Sequence, residues 1–398
     1  MIAQRHWKKL FWFALALKIV ALVVFIYIHQ TRYSHYQPDF LLIFQDASHL
    51  AEVFYRNPLH YCQILWDAPE THEQWYLSTQ PRAFFTAKIF SIPTIILYKN
   101  FWLVSLAGSL WAFWGMWQLV KVWTKYYPNT HLATWIAFLG VPSVLFWSSA
   151  TSKESILIGC IGWSMATFFK GLYEPNTFRK IKYGLIFLLN IIVLWKIKYY
   201  YAFGLLLSLV LYGYGVYAQK YNLSIKRHIV ALFLVFLGFV SLSFLHPNMV
   251  LSALPEALYN NHILTIEASS EKAVIKFFLE PTWLSIIQNS PKALYVGLFS
   301  PMLWESYHTL TLIASVENSI LLILFLLSVK KYITTARPID TPLLMMLCTY
   351  IVLMATFLAL SSPNFGALSR YRCGFTPFLW YVIWVILLTK KPSLFNEG

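Results

Sequence analysis

From Leu10 to Ile28 the chain is apolar except for Lys18. Comparable runs recur, giving candidate spans at 10–29, 101–120, 131–149, 155–172, 183–197, 199–218, 229–246, 309–329, 341–361 and 375–389. Roughly 20 apolar helical residues cross a bilayer core. Lipid offers no hydrogen bonds, so a spanning backbone must satisfy its own. Runs of this length therefore point to helices in a membrane. Only 12% of the 398 residues are charged and 58% are hydrophobic, where an ordinary soluble domain carries about a quarter charged. No alternating strand-like segments recur, which argues against an outer-membrane barrel. The expectation is an all-α polytopic membrane protein, one integral membrane domain over 1–398 with about ten transmembrane helices. The first run is read as a retained helix, not a cleaved leader, because no small-x-small site follows it.

The net charge of +15 raises the question of nucleic acid. The basic residues sit in short clusters between apolar runs and form no long stripe, so no nucleic-acid partner is expected. They read as topology signals. Segment 82–98, PRAFFTAKIFSIPTIIL, carries Lys88 and Pro93 and is taken as an interfacial helix. On that count the cytoplasm receives Arg5, Lys8 and Lys9, then Lys121 and Lys125, then Lys170, Arg179, Lys180 and Lys182. Lys220, Lys226 and Arg227 follow, then Lys330, Lys331 and Arg337, and finally Lys390 and Lys391. Both termini are then cytoplasmic. Most acids fall on the outer side: Asp39, Asp46, Glu52, Asp67, Glu70, Glu73, Glu154, Glu256, Glu267, Glu271, Glu280, Glu305 and Glu317. Glu174, Asp340 and Glu397 fall inside. Two long outer regions result, 30–100 and 247–308, both expected to be partly helical and rich in aromatic residues.

Topology does not account for the charges on the outer side. Asp39 and Asp46, in PDFLLIFQDASHL, fall on nearly one helix face at a separation of seven. Such carboxylates serve as a general base or a divalent-metal site. Alternatively they form a solvated face, with Asp39 capping the helix after Pro38. In VPSVLFWSSATSKESILIG, Ser152 is placed to cap a helix and Glu154 to meet its dipole. Lys153 beside them suits a phosphate. Lys196 and Lys198, in VLWKIKYYYAF, either snorkel to the interface or meet an anionic head group. Arg370 and Arg372, in SSPNFGALSRYRCGFTPFLW, are read as lying in a non-helical turn from which both reach one phosphate. Trp304, Glu305 and His308 are weaker candidates for acceptor contact or a structural role, Glu305 as a helix cap. Glu317 lies inside a span, where an ionisable group is a functional candidate by default. None of the four cysteines has metal-ligand spacing.

Carboxylates facing an array of phosphate-binding cations suggest displacement at a carbon whose leaving group is a phosphate. The layout resembles the GT-C superfamily of membrane glycosyltransferases that use lipid-linked sugars. PDFLLIFQDASHLAEVFYRNPLHY resembles that family's first outer loop, VPSVLFWSSATSKES its Pro…Phe-Trp-Ser…Lys-Glu segment, and SRYRCGFTPFLW its late Arg-Tyr-Arg. The resemblance implies a GT-C-like fold in the inner, plasma membrane, with the active face on the outer, periplasmic side. It implies a polyprenyl-linked sugar donor, a glycan, lipid or protein acceptor, and Asp39 in the place of the catalytic base. Asp46 falls on a variable position. The paired acids of many members have no counterpart beside Asp39, which argues against a divalent metal. Two alternatives stay open: a glycan polymerase or ligase using a lipid-diphosphate oligosaccharide, and a glycolipid transporter without chemistry.

Overall fold

The computed structural model describes residues 2–32, 38–66, 75–221, 225–334 and 340–388. Asp67, Glu70, Glu73, Arg337, Lys390, Lys391 and Glu397, used above for orientation, lie outside them. Among the described residues the chain is helical throughout, with no strand beyond one isolated bridge between Val274 and Asn364. In chain order the helices are α1 (Ile2–Arg32), α2 (Asp39–Arg56), α3 (Pro58–Trp66), α4 (Pro81–Ile96), α5 (Phe101–Tyr126), α6 (His131–Leu139), α7 (Pro142–Trp147) and α8 (Lys153–Tyr173). They continue as α9 (Thr177–Tyr221), α10 (Ile225–Ser243), α11 (Leu254–Glu267), α12 (Trp283–Phe299), α13 (Thr309–Thr334), α14 (Thr341–Ser361), α15 (Phe365–Tyr371) and α16 (Thr376–Leu388).

Among the described residues five helical stretches are long and apolar enough to cross a membrane: Trp7–Thr31, Phe101–Tyr126, Lys153–Tyr173, Thr309–Thr334 and Thr341–Ser361. Phe365–Gly374 and Thr376–Leu388, bent by 66°, make a sixth if taken as one span. The run at 131–149 is not one helix. It breaks between α6 and α7, where Gly140 and Val141 precede Pro142. Proline cannot donate to the preceding turn and disfavours helical geometry in the residue before it. The runs at 183–197 and 199–218 are separate helical stretches, as expected: the range given for α9 holds two helices that meet at a kink at Lys198, where φ is −150° and ψ 82°.

The chain forms two compact units: Met1–Pro128 with Phe138–Tyr199, and Asn129–Ala137 with Tyr200–Gly398. In the first, α5 and α8 cross at very close range. A Cβ built on Gly115 would lie 2.3 Å from the Gly159 carbonyl oxygen, so only glycine permits this approach. α2 packs along α4, and α1 packs on α7 and α5. Leu22, Phe25 and Ile26 of α1 form a buried cluster with Phe40 and Ala150. That cluster seats the head of α2 against the α7–α8 turn. In the second unit α12 lies along α14, with Gly297 against the Ala355 backbone. α13 packs on α16, and α11 on α14.

Candidate functional site

The head of α2 is set by proline. Pro38 has φ −71° and ψ 148°, and it occupies the position before the first helical turn. Asp39 is therefore the first helical residue, and not the cap of the alternative reading. Its carboxylate sits where the helix dipole favours negative charge. It is 36% exposed, and its Oδ2 lies 3.5 Å from Nζ of Lys153, which is 16% exposed. Lys153 opens α8, where the dipole disfavours a cation. Asp39 on one side and Glu154 next in sequence offset that penalty.

Lys153 is carried by a buried polar turn. Ser148, Ser149, Ala150, Thr151 and Ser152 are all buried. Ser152 accepts from the Ser155 amide at 3.1 Å, the cap anticipated above. Ala150 adopts φ 60°, a conformation uncommon outside glycine. Its amide donates to Ser109 Oγ at 3.0 Å. The Thr151 hydroxyl donates to the Phe40 carbonyl at 2.8 Å, tying the turn to the residue after Asp39. Beneath the turn, Lys18 Nζ reaches Leu145 O at 2.9 Å, Ser148 O at 2.8 Å, Ser148 Oγ at 2.7 Å and Ser149 Oγ at 3.2 Å. Those carbonyls lie at the end of α7, where a cation is favourable. The sequence alone assigns neither Thr151 nor Lys18 to a site. The available signal was a lone lysine inside an apolar run.

Glu154 turns the other way. Its Oε1 lies 2.9 Å from Lys198 Nζ, and both side chains are buried. Lys198 stands at the interruption of α9, and Lys196 is exposed. The two lysines therefore do not act together on one head group: one is an internal ion-pair partner and the other faces outward. Beside Lys198, the Tyr199 ring lies 4.7 Å from the exposed guanidinium of Arg82 on α4.

Asp46 is neither solvated nor poised for catalysis. It is wholly buried, and Oδ1 accepts from the Tyr76 amide at 3.0 Å while Oδ2 accepts from the Leu77 amide at 2.9 Å. Burial raises its pKa above the usual carboxylate value, and those two backbone bonds partly oppose the rise. Asp46 is the clamp that joins α2 to the segment leading into α4. The expectation of a paired role with Asp39 is corrected.

In the second unit the two arginines part. Phe365–Tyr371 is helical, and Arg372–Gly374 continues it as a 3-10 turn. A separation of two on a helix sends side chains to different faces. Arg370 is half-buried, with its guanidinium 5.9 Å from the Tyr371 ring. Arg372 is buried and donates to Ser300 O at 2.8 Å, Leu298 O at 3.3 Å and the Asn318 side-chain oxygen. Glu317 lies near enough to interact with its charge. Arg372 is thus an internal brace, and its assignment to phosphate is corrected. Trp304 is exposed. Glu305 Oε2 accepts from the Met302 amide at 2.7 Å, closing its own short turn instead of capping α13. His308 Nδ1 accepts from the amides of Leu310 and Thr311, each at 3.1 Å, and so takes the capping role at α13.

Lys153 is a charged neighbour of Asp39, and among the described residues no group of three or more His, Cys, Asp or Glu side chains is arranged to hold a metal ion. No protein-family model, curated protein or solved structure matches the chain.

Proposed function

We propose that the protein is a membrane glycosyltransferase that moves a sugar from a polyprenyl-phosphate-linked donor to an acceptor hydroxyl. The observation that carries this reading is the half-exposed Asp39 carboxylate, 3.5 Å from Lys153, where the heads of α2 and α8 meet. Asp39 takes the proton of the acceptor hydroxyl. The acceptor oxygen then bonds to the anomeric carbon as the carbon–oxygen bond to phosphate breaks, with inversion. The phosphate departs with the electron pair, and Lys153 is the cation at hand to offset its charge. Lys196 stays as a candidate cation for the donor. The reading includes about ten spans with cytoplasmic termini, a GT-C-like arrangement, and chemistry at the outer face of the plasma membrane.

The test is sugar transfer by the full chain in lipid nanodiscs, using polyprenyl-phosphate sugars and lipid-diphosphate oligosaccharides in parallel. A new glycosidic bond is the expected product. Asp39→Asn is expected to lower turnover by about 10²–10⁴-fold and to leave the melting temperature almost unchanged. Full turnover in that variant rejects Asp39 as the base. Turnover of only the oligosaccharide donor replaces this reading with a polymerase or ligase. Movement of the lipid-linked sugar without a new bond replaces it with a transporter.

A further inference from the structure

Lys18 sits in the middle of the span Trp7–Thr31 and is 1% exposed. A cation there is costly and, as a rule, functional. The mechanism above does not use it. Four oxygens within hydrogen-bond reach of its Nζ lie in residues 145–149, the end of α7 and the start of the turn. From there the turn runs through Ala150 at φ 60° to Thr151, which bonds the carbonyl of Phe40. Ser152 then caps α8, and the next residue is Lys153, beside Asp39. Phe40 follows Asp39 directly. Both members of the Asp39–Lys153 pair are thus one residue or two from a group that this turn holds.

We propose that Lys18 is a positioning residue: it holds the 148–152 turn in the form that brings Lys153 to Asp39. An uncharged side chain at position 18 would leave the turn's carbonyls and hydroxyls without their donor. The turn would be free to leave the uncommon conformation at Ala150, carrying Lys153 away from the carboxylate. The proposal rests on Asp39 as the reacting group for its effect on turnover, but not for the geometry.

The experiment reads geometry and turnover separately. For geometry, Lys153→Cys is placed in the full chain with the exposed Cys62 and Cys348 changed to serine. Its modification rates by cationic and anionic methanethiosulfonates are compared in membranes. The Asp39 carboxylate nearby is expected to favour the cationic reagent, and Asp39→Asn to remove that preference. Lys18→Met is expected to lower the preference to the Asp39→Asn level, and Lys18→Arg to keep it. An unchanged preference in Lys18→Met overturns the proposal. For turnover, with Lys153 intact, Lys18→Met is expected to lower kcat by about 100-fold with little change in KM, and Lys18→Arg to restore most of it. An equal rise in KM without loss of kcat overturns it. If Lys18→Met does not accumulate in the membrane, Thr151→Val removes the next link and carries the same two expectations. If the unaltered protein forms no glycosidic bond, the proposed activity falls, and the labelling ratio still decides the role of Lys18.

Discussion

Lys198 Nζ and Glu154 Oε1 lie 2.9 Å apart, with both side chains buried. The pair fastens the first turn of α8 to the interruption in α9. It places a cation where the chain leaves helical geometry and an anion where a helix begins. The anion is favoured by the dipole of α8.

Removing one partner takes the ion-pair contact from a charge that stays buried. Glu154→Gln and Lys198→Met are each expected to destabilise the protein by about 3–5 kcal/mol. The two together are expected to cost clearly less than the sum. A double-mutant cycle of unfolding free energies measures this. Additive effects would show that the pair does not interact.

Asp46 is expected to matter for stability and not for turnover. Asn in its place offers one acceptor to two backbone amides, so Asp46→Asn is expected to cost about 1–3 kcal/mol. The pH dependence follows from the raised pKa. The folded state holds the proton more tightly than the unfolded state, whose carboxyl titrates near 3.8. Stability from this group is therefore full below that value, and it declines as pH rises through the folded-state pKa. Unfolding measured across this window should slope downward in the unaltered protein and lose that component in Asp46→Asn. Identical slopes would remove Asp46 as its source.

Arg370 and Arg372 are expected to separate cleanly. Arg372→Ala leaves the Leu298 and Ser300 carbonyls and Asn318 without a donor, and is expected to cost about 3 kcal/mol or more. Arg370→Gln, which gives up the contact with the Tyr371 ring, is expected to cost clearly less in the same unfolding measurement. A folded, fully stable Arg372→Ala protein would reject the brace.

Much of the candidate site was readable in the sequence, and its pairings were not. Asp39, Lys153 and Glu154 are conspicuous in the sequence because charge beside apolar runs is costly. The Ser152 cap followed from local chemistry alone, since a cap needs only its own first turn. Asp39 and Asp46 share a helix face, yet they lie about 10 Å apart along its axis. At one level α2 meets Lys153, and at the other it meets the amides of Tyr76 and Leu77. Helical periodicity reports the face and is silent about what lies opposite. Lys153 and Glu154 are adjacent and find different partners for the same reason. Arg370 and Arg372 looked like a pair because proline and glycine suggested an open turn. Asn364 caps a helix there instead, its side chain accepting from the Ala367 amide.

The sequence by itself determined that this is an all-helical chain with helices long and apolar enough for a membrane. It also marked Asp39 as the acid at a helix head, because hydrophobic run length and capping are local properties. Only the tertiary structure decided which charges face a partner and which face outward. It set Lys18 under the turn at 148–152, Asp46 on two amides, Lys198 on Glu154 and Arg372 on backbone carbonyls. The physical reason is common to all four: away from water, a polar group is held by whichever distant oxygen or amide the packing brings within reach.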